Sequence, residues 1–365
     1  MIRGGQLSLE GGFRLDDVVF VTEEKADRHI GNLAFPGDVI VTQRGTLGQV
    51  GLVPLDCKYP RLLLSQSQMK ITVDSKRADP SFLCYALLEP GNRQRLIDHA
   101  ISAGVPHINL ATLRQFRLKM PSLGVQYASA AVLRTLDDLI ENNLRRIALL
   151  EETAQAIYRE WFVHFRYPGH EEDELVDSPL GPIPAGWRAA RLGDVIELHY
   201  GKALKASARK GGPVAVVGSS GVVGWHDQSL VSGPVVVVGR KGNVGSATWI
   251  QGESWPIDTT YYVTTDLPLR FAYRMLGEIE FIDSHAAVPG LSRDQAYSIE
   301  VLHPSLQLAG LFDETALELN AMSSVLKGQA TVLSMVRDAL LPKLVTGAID
   351  VSKLDLDPLV EESAA

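Results

Sequence analysis

Cysteine is scarce. Cys57 and Cys84 are the only two in 365 residues, and neither has CxxC spacing or a histidine at a metal-ligand interval, which excludes a disulfide framework and a zinc finger. Both read as core thiols. Long apolar runs are also missing: no stretch approaches the ~18 residues that span a bilayer, and Met1-Ile2-Arg3-Gly4-Gly5 lacks the apolar core of a signal peptide. These absences predict a cytoplasmic protein. A basic excess is lacking as well, since 35 Lys and Arg stand against 43 Asp and Glu, a formal charge of −8. That argues against an extended nucleic-acid surface but leaves room for local basic clusters. Part of the acidity lies on the tail, where Asp350, Asp355, Asp357, Glu361 and Glu362 face only Lys353. Catalytic signatures are absent too. There is no GxxxxGK[ST], no GxGxxG after a strand, no HExxH and no GxSxG, so no enzyme activity, cofactor or metal is expected.

What the chain does have is two long helical stripes. Leu133, Leu136, Ile140, Leu144, Ile147, Leu150, Ala154, Ile157 and Trp161 recur at steps of three or four, the period of a coiled-coil seam. A single helix cannot bury such a seam against itself. Phe312, Thr315, Leu319, Met322, Leu326, Gln329, Leu333, Val336 and Leu340 supply a second stripe near the end of the chain. An antiparallel pairing of the two within one chain is the economical arrangement, with Thr315 and Gln329 setting register. Two amphipathic helices packed on separate cores are the alternative.

Ahead of each stripe lies a mixed α/β unit. In the first, the strand Val39-Ile40-Val41-Thr42 runs into Gln43-Arg44-Gly45-Thr46-Leu47-Gly48 and out through Gln49 to Val53. A further strand is expected at Gln68–Val73, a helix from about Pro80 to His99, and a half-buried strand over Phe116–Pro121. The same signals then repeat. Val235 to Gly239 runs into Arg240-Lys241-Gly242-Asn243-Val244-Gly245, and Ala287-Val288-Pro289-Gly290-Leu291-Ser292 stands where the first half has Gly104-Val105-Pro106-His107-Ile108-Asn109. His303-Pro304-Ser305-Leu306 echoes Met120-Pro121-Ser122-Leu123. A globular unit followed by a long helix therefore occurs twice. The expected divisions are a first unit over 1–121, a central helix over 122–168, a Pro, Gly and acid-rich linker over 169–186, a second unit over 187–304, a distal helix over 305–345 and the tail 346–365.

With these residues in view the chain resembles the DNA-specificity subunit of type I restriction-modification systems. The likeness rests on Trp187 with Leu192-Gly193-Asp194, on the basic GxxG segments, on Leu136-Asp137-Asp138-Leu139-Ile140, and most specifically on Arg337-Asp338-Ala339-Leu340-Leu341-Pro342-Lys343-Leu344 with Gly347. The resemblance implies two α/β (mixed α+β) target-recognition domains in tandem, alternating with two long helices that form an antiparallel coiled coil. It implies that each domain reads half of a bipartite site in double-stranded DNA, that the helices dock methyltransferase subunits, and that an ATP-dependent restriction subunit can complete the assembly. One departure stands out: nothing ahead of Ile2-Arg3-Gly4-Gly5 matches the Trp187 and Leu192-Gly193-Asp194 opening, so the first unit starts where the middle of such a domain is expected.

The candidate DNA-binding residues follow from chemistry. Arg44, Arg240 and Lys241 sit where a strand turns over, on loops whose Gly45, Gly48, Gly242 and Gly245 let backbone approach a phosphate, with Thr46 between them. Arg can also grip guanine O6 and N7 in a bidentate contact. Gln43, Gln66, Gln68 and Asn243 carry the amides suited to adenine, and each is equally readable as a solvated loop residue. Lys202, Lys205, Arg209 and Lys210 form the densest basic run, suited to phosphates or to solvent. Two other readings remain open from sequence: an adaptor whose coiled coil joins proteins without reading DNA, and a nucleotide-hydrolysing enzyme, which the missing Walker lysine disfavours.

Overall fold

Val39 to Thr42 is apolar or β-branched throughout and buried at all four positions, as a strand covered on both faces must be. The computed structural model, which describes residues 1–15, 18–100, 106–281, 290–349 and 351, makes it the centre of a sheet. The chain forms two compact units, Met1–Leu144 with Lys327–Ala365, and Arg145–Leu326.

In the first unit, α1 (Glu23–Arg28) and β1 (Leu33–Ala34) precede β2 (Val39–Thr42), which pairs antiparallel with β3 (Val50–Leu52) and, after β4 (Leu62–Leu63), with β5 (Gln68–Ile71). Helices α2 (Pro80–Leu88) and α3 (Pro90–Asp98) follow where one helix was expected. Pro90 explains the break. It has no N–H to continue the ladder and holds Glu89 in an extended conformation, and the Glu89 carboxylate then caps α3 by accepting from the Gly91 and Asn92 amides. After α4 (Leu110–Gln115) the expected strand over Phe116–Pro121 does not form; the chain enters the helix α5 (Leu123–Phe162) directly.

The second unit shows why that strand is missing. There β6 (Leu175–Val176) and β7 (Ile183–Pro184) form a small hairpin within the segment read as a linker, and Ile183 is buried beside Tyr167 and Trp187. Next come β8 (Arg188–Arg191), the helical turn α6 (Leu192–Val195) and β9 (Glu197–Tyr200). Strands β10 (Val214–Gly218), β11 (Gly221–His226), β12 (Val235–Gly239), β13 (Ala247–Ile250), β14 (Ser254–Pro256) and β15 (Thr260–Thr264) build two sheets, ordered β11-β10-β14 and β13-β12-β15-β9. After α7 (Leu269–Glu278) and α8 (Arg293–Tyr297), β16 (Glu300–His303) pairs with β8 and leads to α9 (Leu306–Val345). By sequence, β16 is the counterpart of Arg117 to Met120. In the first unit no described strand stands in the place of β8 or β9, so Arg117 to Met120 has no ladder to join.

The long helices pair within each unit. In the first, Leu133 of α5 is buried with Leu344 of α9, and Arg337 Nη1 donates to Asp137 Oδ1 at 3.0 Å. In the second, Tyr158 and Phe162 of α5 pack their rings 5.7 and 5.6 Å from Phe312 of α9, while Arg270 of α7 pairs with Asp313 of α9 at 3.1 Å. The later part of α5 meets the earlier part of α9, so the pairing is antiparallel. Its register differs from the sequence expectation at alternate positions. On α9 the buried line runs Ala309, Phe312, Ala316, Ser323, Leu326, Ala330 and Leu344, with Arg337 in the same series. Thr315, Met322, Gln329 and Val336 lie one residue off it, and Met322 is 51% exposed. On α5, Asn143 is buried and Leu144 exposed. Small residues let two helices approach closely, and a search for large apolar side chains passes over them.

Candidate nucleic-acid interface

Both glycine loops are built by the same backbone bonds. In the first unit the amides of Gln43 and Arg44 donate to the Ser67 carbonyl at 2.7 and 3.3 Å, and the Ile108 amide donates to the Gln43 carbonyl at 3.0 Å. In the second, the amides of Arg240 and Lys241 donate to the Thr259 carbonyl at 2.9 and 3.1 Å, and the Leu291 amide donates to the Arg240 carbonyl at 2.8 Å. Isolated bridges Arg44 to His107 and Lys241 to Gly290 complete the match. Position by position, Arg44 stands where Lys241 stands and Gln43 where Arg240 stands. The repeat seen in the sequence is thus a repeat of hydrogen bonding, although Gly104-Val105 and Ala287 to Pro289, like the acidic tail at 350 and 352–365, lie outside the described residues.

Glycine is required at the turns. Gly45, Gly48, Gly242 and Gly245 all have positive φ, between 76° and 99°. A side chain at Gly245 would run into the Phe281 ring, and one at Gly48 would press on Arg93 and Ile97. The outer glycine of each loop therefore packs the loop down on its unit, while the inner one turns it over. The result exposes Arg44, Gly45 and Thr46 in one unit and Lys241, Gly242 and Asn243 in the other.

The remaining candidates divide. Gln66 is exposed beside the first loop. Gln68 is turned inward, 6% exposed, its Nε2 donating to the Arg3 carbonyl at 3.1 Å, so its amide is occupied with holding the first residues of the chain. Lys202 and Lys205 are exposed; the Lys202 ammonium lies 5.8 Å from the Trp255 ring centroid, and the Trp255 indole N–H donates to the Lys202 carbonyl. Arg209 is tied to the β11 edge, its Nη1 donating to the Val223 carbonyl at 2.6 Å. Lys210 faces Asp227 at 3.7 Å.

Sequence reasoning missed the aromatic surroundings of Arg240. Its guanidinium lies 5.0 Å from the Tyr200 ring and 5.9 Å from the Tyr261 ring, and Nη1 donates to the Asp258 carbonyl at 3.1 Å. Tyr261 is buried, and its hydroxyl donates to the Leu291 carbonyl at 3.0 Å. Burial, together with the neighbouring Tyr200, pushes the Tyr261 phenol above its ordinary range. The only signal in the sequence is the pair Tyr261-Tyr262 after Asp258-Thr259-Thr260, which by itself is more often core than base-stacking. Among the described residues no group of three or more His, Cys, Asp or Glu is placed to hold a metal ion, and no helix is long and apolar enough to cross a membrane.

Residues 15–152 match the family described as Type I restriction modification DNA specificity domain. Among curated proteins, the MjaIX specificity subunit of a type I restriction enzyme from Methanocaldococcus jannaschii is 28% identical over 179 residues, 49% of this chain and 40% of the relative. The MjaVIII specificity subunit from the same organism is 24% identical over 145 residues, 40% of this chain and 33% of the relative. The matches thus span less than half of each relative's length. Among solved structures, the S subunit of a type I restriction-modification system from M. genitalium shares the fold, with a TM-score of 0.55 at 18% identity over 94% of this chain and 91% of that one.

Proposed function

Taking residues 15–152 as a domain of the type I restriction-modification DNA-specificity family, we propose that this chain is the non-catalytic sequence-specificity subunit of such a complex. Each unit contacts one half of a bipartite site in double-stranded DNA, and methyl transfer belongs to partner subunits. The observation that carries this reading is the duplicated loop. Two units that differ in most side chains keep the same hydrogen bonds and the same glycine turns, and each lifts a cation, Arg44 or Lys241, into solvent. A basic residue held on backbone that can approach a phosphate is a DNA-positioning device, and its exposed neighbours are free to meet base edges.

The helices supply the other half of the proposal. Beside the buried seam, Met322, Val325, Val332, Met335 and Val336 of α9 are 41 to 68% exposed, as are Leu139 and Leu144 of α5 at 46 and 55%. A helix that leaves apolar residues in solvent at heptad-like steps is suited to a further helical partner. We assign these faces to methyltransferase subunits, with a restriction subunit joining through them, in a cytoplasmic assembly.

The test is footprinting of the chain reconstituted with its methyltransferase partner. Protection of two short sequences separated by an unread spacer is expected, and Arg240→Ala with Lys241→Ala is expected to weaken only the second. A single continuous footprint, or none, would remove the reading and leave an adaptor.

A further inference from the structure

Two arginines in the second unit share one exposed ring. Tyr200 ends β9 with its ring centroid 5.1 Å from that of Tyr261. Arg240 lies 5.0 Å from the Tyr200 centroid and Arg293, the first residue of α8, lies 5.3 Å from it. Tyr261 is spent in the core, whereas Tyr200 is 51% exposed. Among the described residues neither Arg240, Lys241 nor Arg293 makes an ion pair, although ion pairs serve many other arginines of the chain, Arg159, Arg270, Arg274 and Arg337 among them. Like charges gathered on one ring, with no ion-paired carboxylate among the described residues, are suited to an anionic partner.

The first unit shows which of these residues the scaffold needs. The matching hydrogen bonds place Gln43 at the position of Arg240 and, counted on from Ile108 and Leu291, Leu110 at that of Arg293. Strand pairing places Met69, opposite Val41, at that of Tyr261, opposite Val238. The loop and the strands around it form in the first unit without the side chains of Arg240, Arg293 or Tyr261, so the architecture does not need those three. A feature that changes while its frame is kept is where two readers of one fold differ.

Resting on the proposed DNA-reading function, we infer that Arg240, Tyr200 and Arg293 form the base-reading platform that sets the sequence preference of the second unit, with guanine as the base read. The guanidinium forks match the paired acceptors O6 and N7 on the major-groove edge of guanine. Tyr200 is a positioning residue: its face restrains two long side chains that would otherwise lose entropy on binding, and the Asp258 carbonyl fixes one end of Arg240. The first unit, with Gln43 and Leu110 at these places, reads a different half-site.

The experiment measures binding of the full chain with its methyltransferase partner to duplexes in which each base pair of the second half-site is varied in turn. Arg293→Lys keeps the charge but not the fork, so discrimination for guanine at one position is expected to fall about tenfold or more, as lost affinity for the guanine duplex, while preferences at the other positions keep their order. Tyr200→Leu is expected to relax the same position and Tyr200→Phe to preserve it. If Arg293→Lys and Tyr200→Leu leave every preference intact, or weaken all duplexes equally, the platform is not a reader and the inference fails while the DNA-binding reading stands. If the unaltered complex shows no preference at either half-site, both fail together.

Discussion

Asp137 is a surface carboxylate by sequence and a junction in the structure. Tyr85 donates to its Oδ2 at 2.6 Å and Arg337 to its Oδ1 at 3.0 Å, which joins α2, α5 and α9 of the first unit at one residue. Asp137 and Asp138 are adjacent in the sequence, and nothing local says which of two neighbouring acids faces a partner helix. Next to Tyr85, the Cys84 thiol is buried, and burial with the nearby Asp137 charge pushes its pKa up to about 12. It stays a thiol at any pH where the fold is handled. Alkylation followed by mass spectrometry at pH 8 is therefore expected to label Cys57, which is partly exposed, and to leave Cys84 unmodified until denaturant is added. Labelling of Cys84 at the rate of Cys57 under native conditions would mean that α2 is not packed as described.

Asp79 gives a residue-scale effect with a pH signature. It caps α2 by accepting from the Phe82 amide at 2.7 Å, but burial raises its pKa more than that bond, the Ser81 amide and the Arg134 charge lower it. A carboxyl whose folded pKa lies above its unfolded value, about 3.9, stabilises the fold most when protonated. That contribution is complete below the unfolded pKa and is lost as pH rises through the folded one. At pH 7 the ionised group is thus a net cost relative to acid. Asn caps a helix as well as Asp does and carries no charge. Asp79→Asn is expected to be more stable than the parent at pH 7 in urea unfolding, with the gap closing as pH falls toward about 4. A gap that widens toward acid would reverse the assignment.

At the scale of elements, the period of the long helices was legible and their register only in part. Phe312, Leu319, Leu326, Leu333 and Leu340 were placed on the seam by size and spacing, and these keep to the inward side. The alternate line, Ala309, Ala316, Ser323 and Ala330, could not be found that way, since alanine and serine carry too little apolar weight to outscore Met322 or Val336 beside them. Ser323 shows the cost of that close approach: it is 3% exposed, and its hydroxyl has no hydrogen-bond partner among the described residues. A buried, unsatisfied hydroxyl costs about 1–3 kcal/mol, and alanine fits the same space with better helix propensity. Ser323→Ala is expected to raise stability by about 1 kcal/mol, read from the urea midpoint at unchanged m-value. Loss of stability would show that the hydroxyl is satisfied after all. The missing strand over Phe116–Pro121 teaches the complementary lesson: alternation marks a segment able to pair, and only the rest of the sheet decides whether it does.

For the molecule as a whole, the repeat was the most legible feature, because glycines required by positive φ and a proline-bounded loop survive in both halves while the side chains around them change. What the sequence could not show was which cations the repeat leaves free. Arg44 and Lys241 are held at equivalent places by equivalent bonds, yet the chain carries a net charge of −8, so any attraction to DNA is local. This has a measurable consequence. Each phosphate neutralised contributes a slope of about −0.9 to log affinity against log salt. Arg44→Ala and Lys241→Ala, each in the reconstituted complex, are expected to make that slope shallower by about 0.9 apiece and by about 1.8 together, because the two loops lie in separate units and share no side chain. A slope unchanged by either substitution would take the loops off the phosphate backbone. A double variant that loses no more than one single variant would mean that only one unit touches the duplex, and the bipartite address would shrink to a single site.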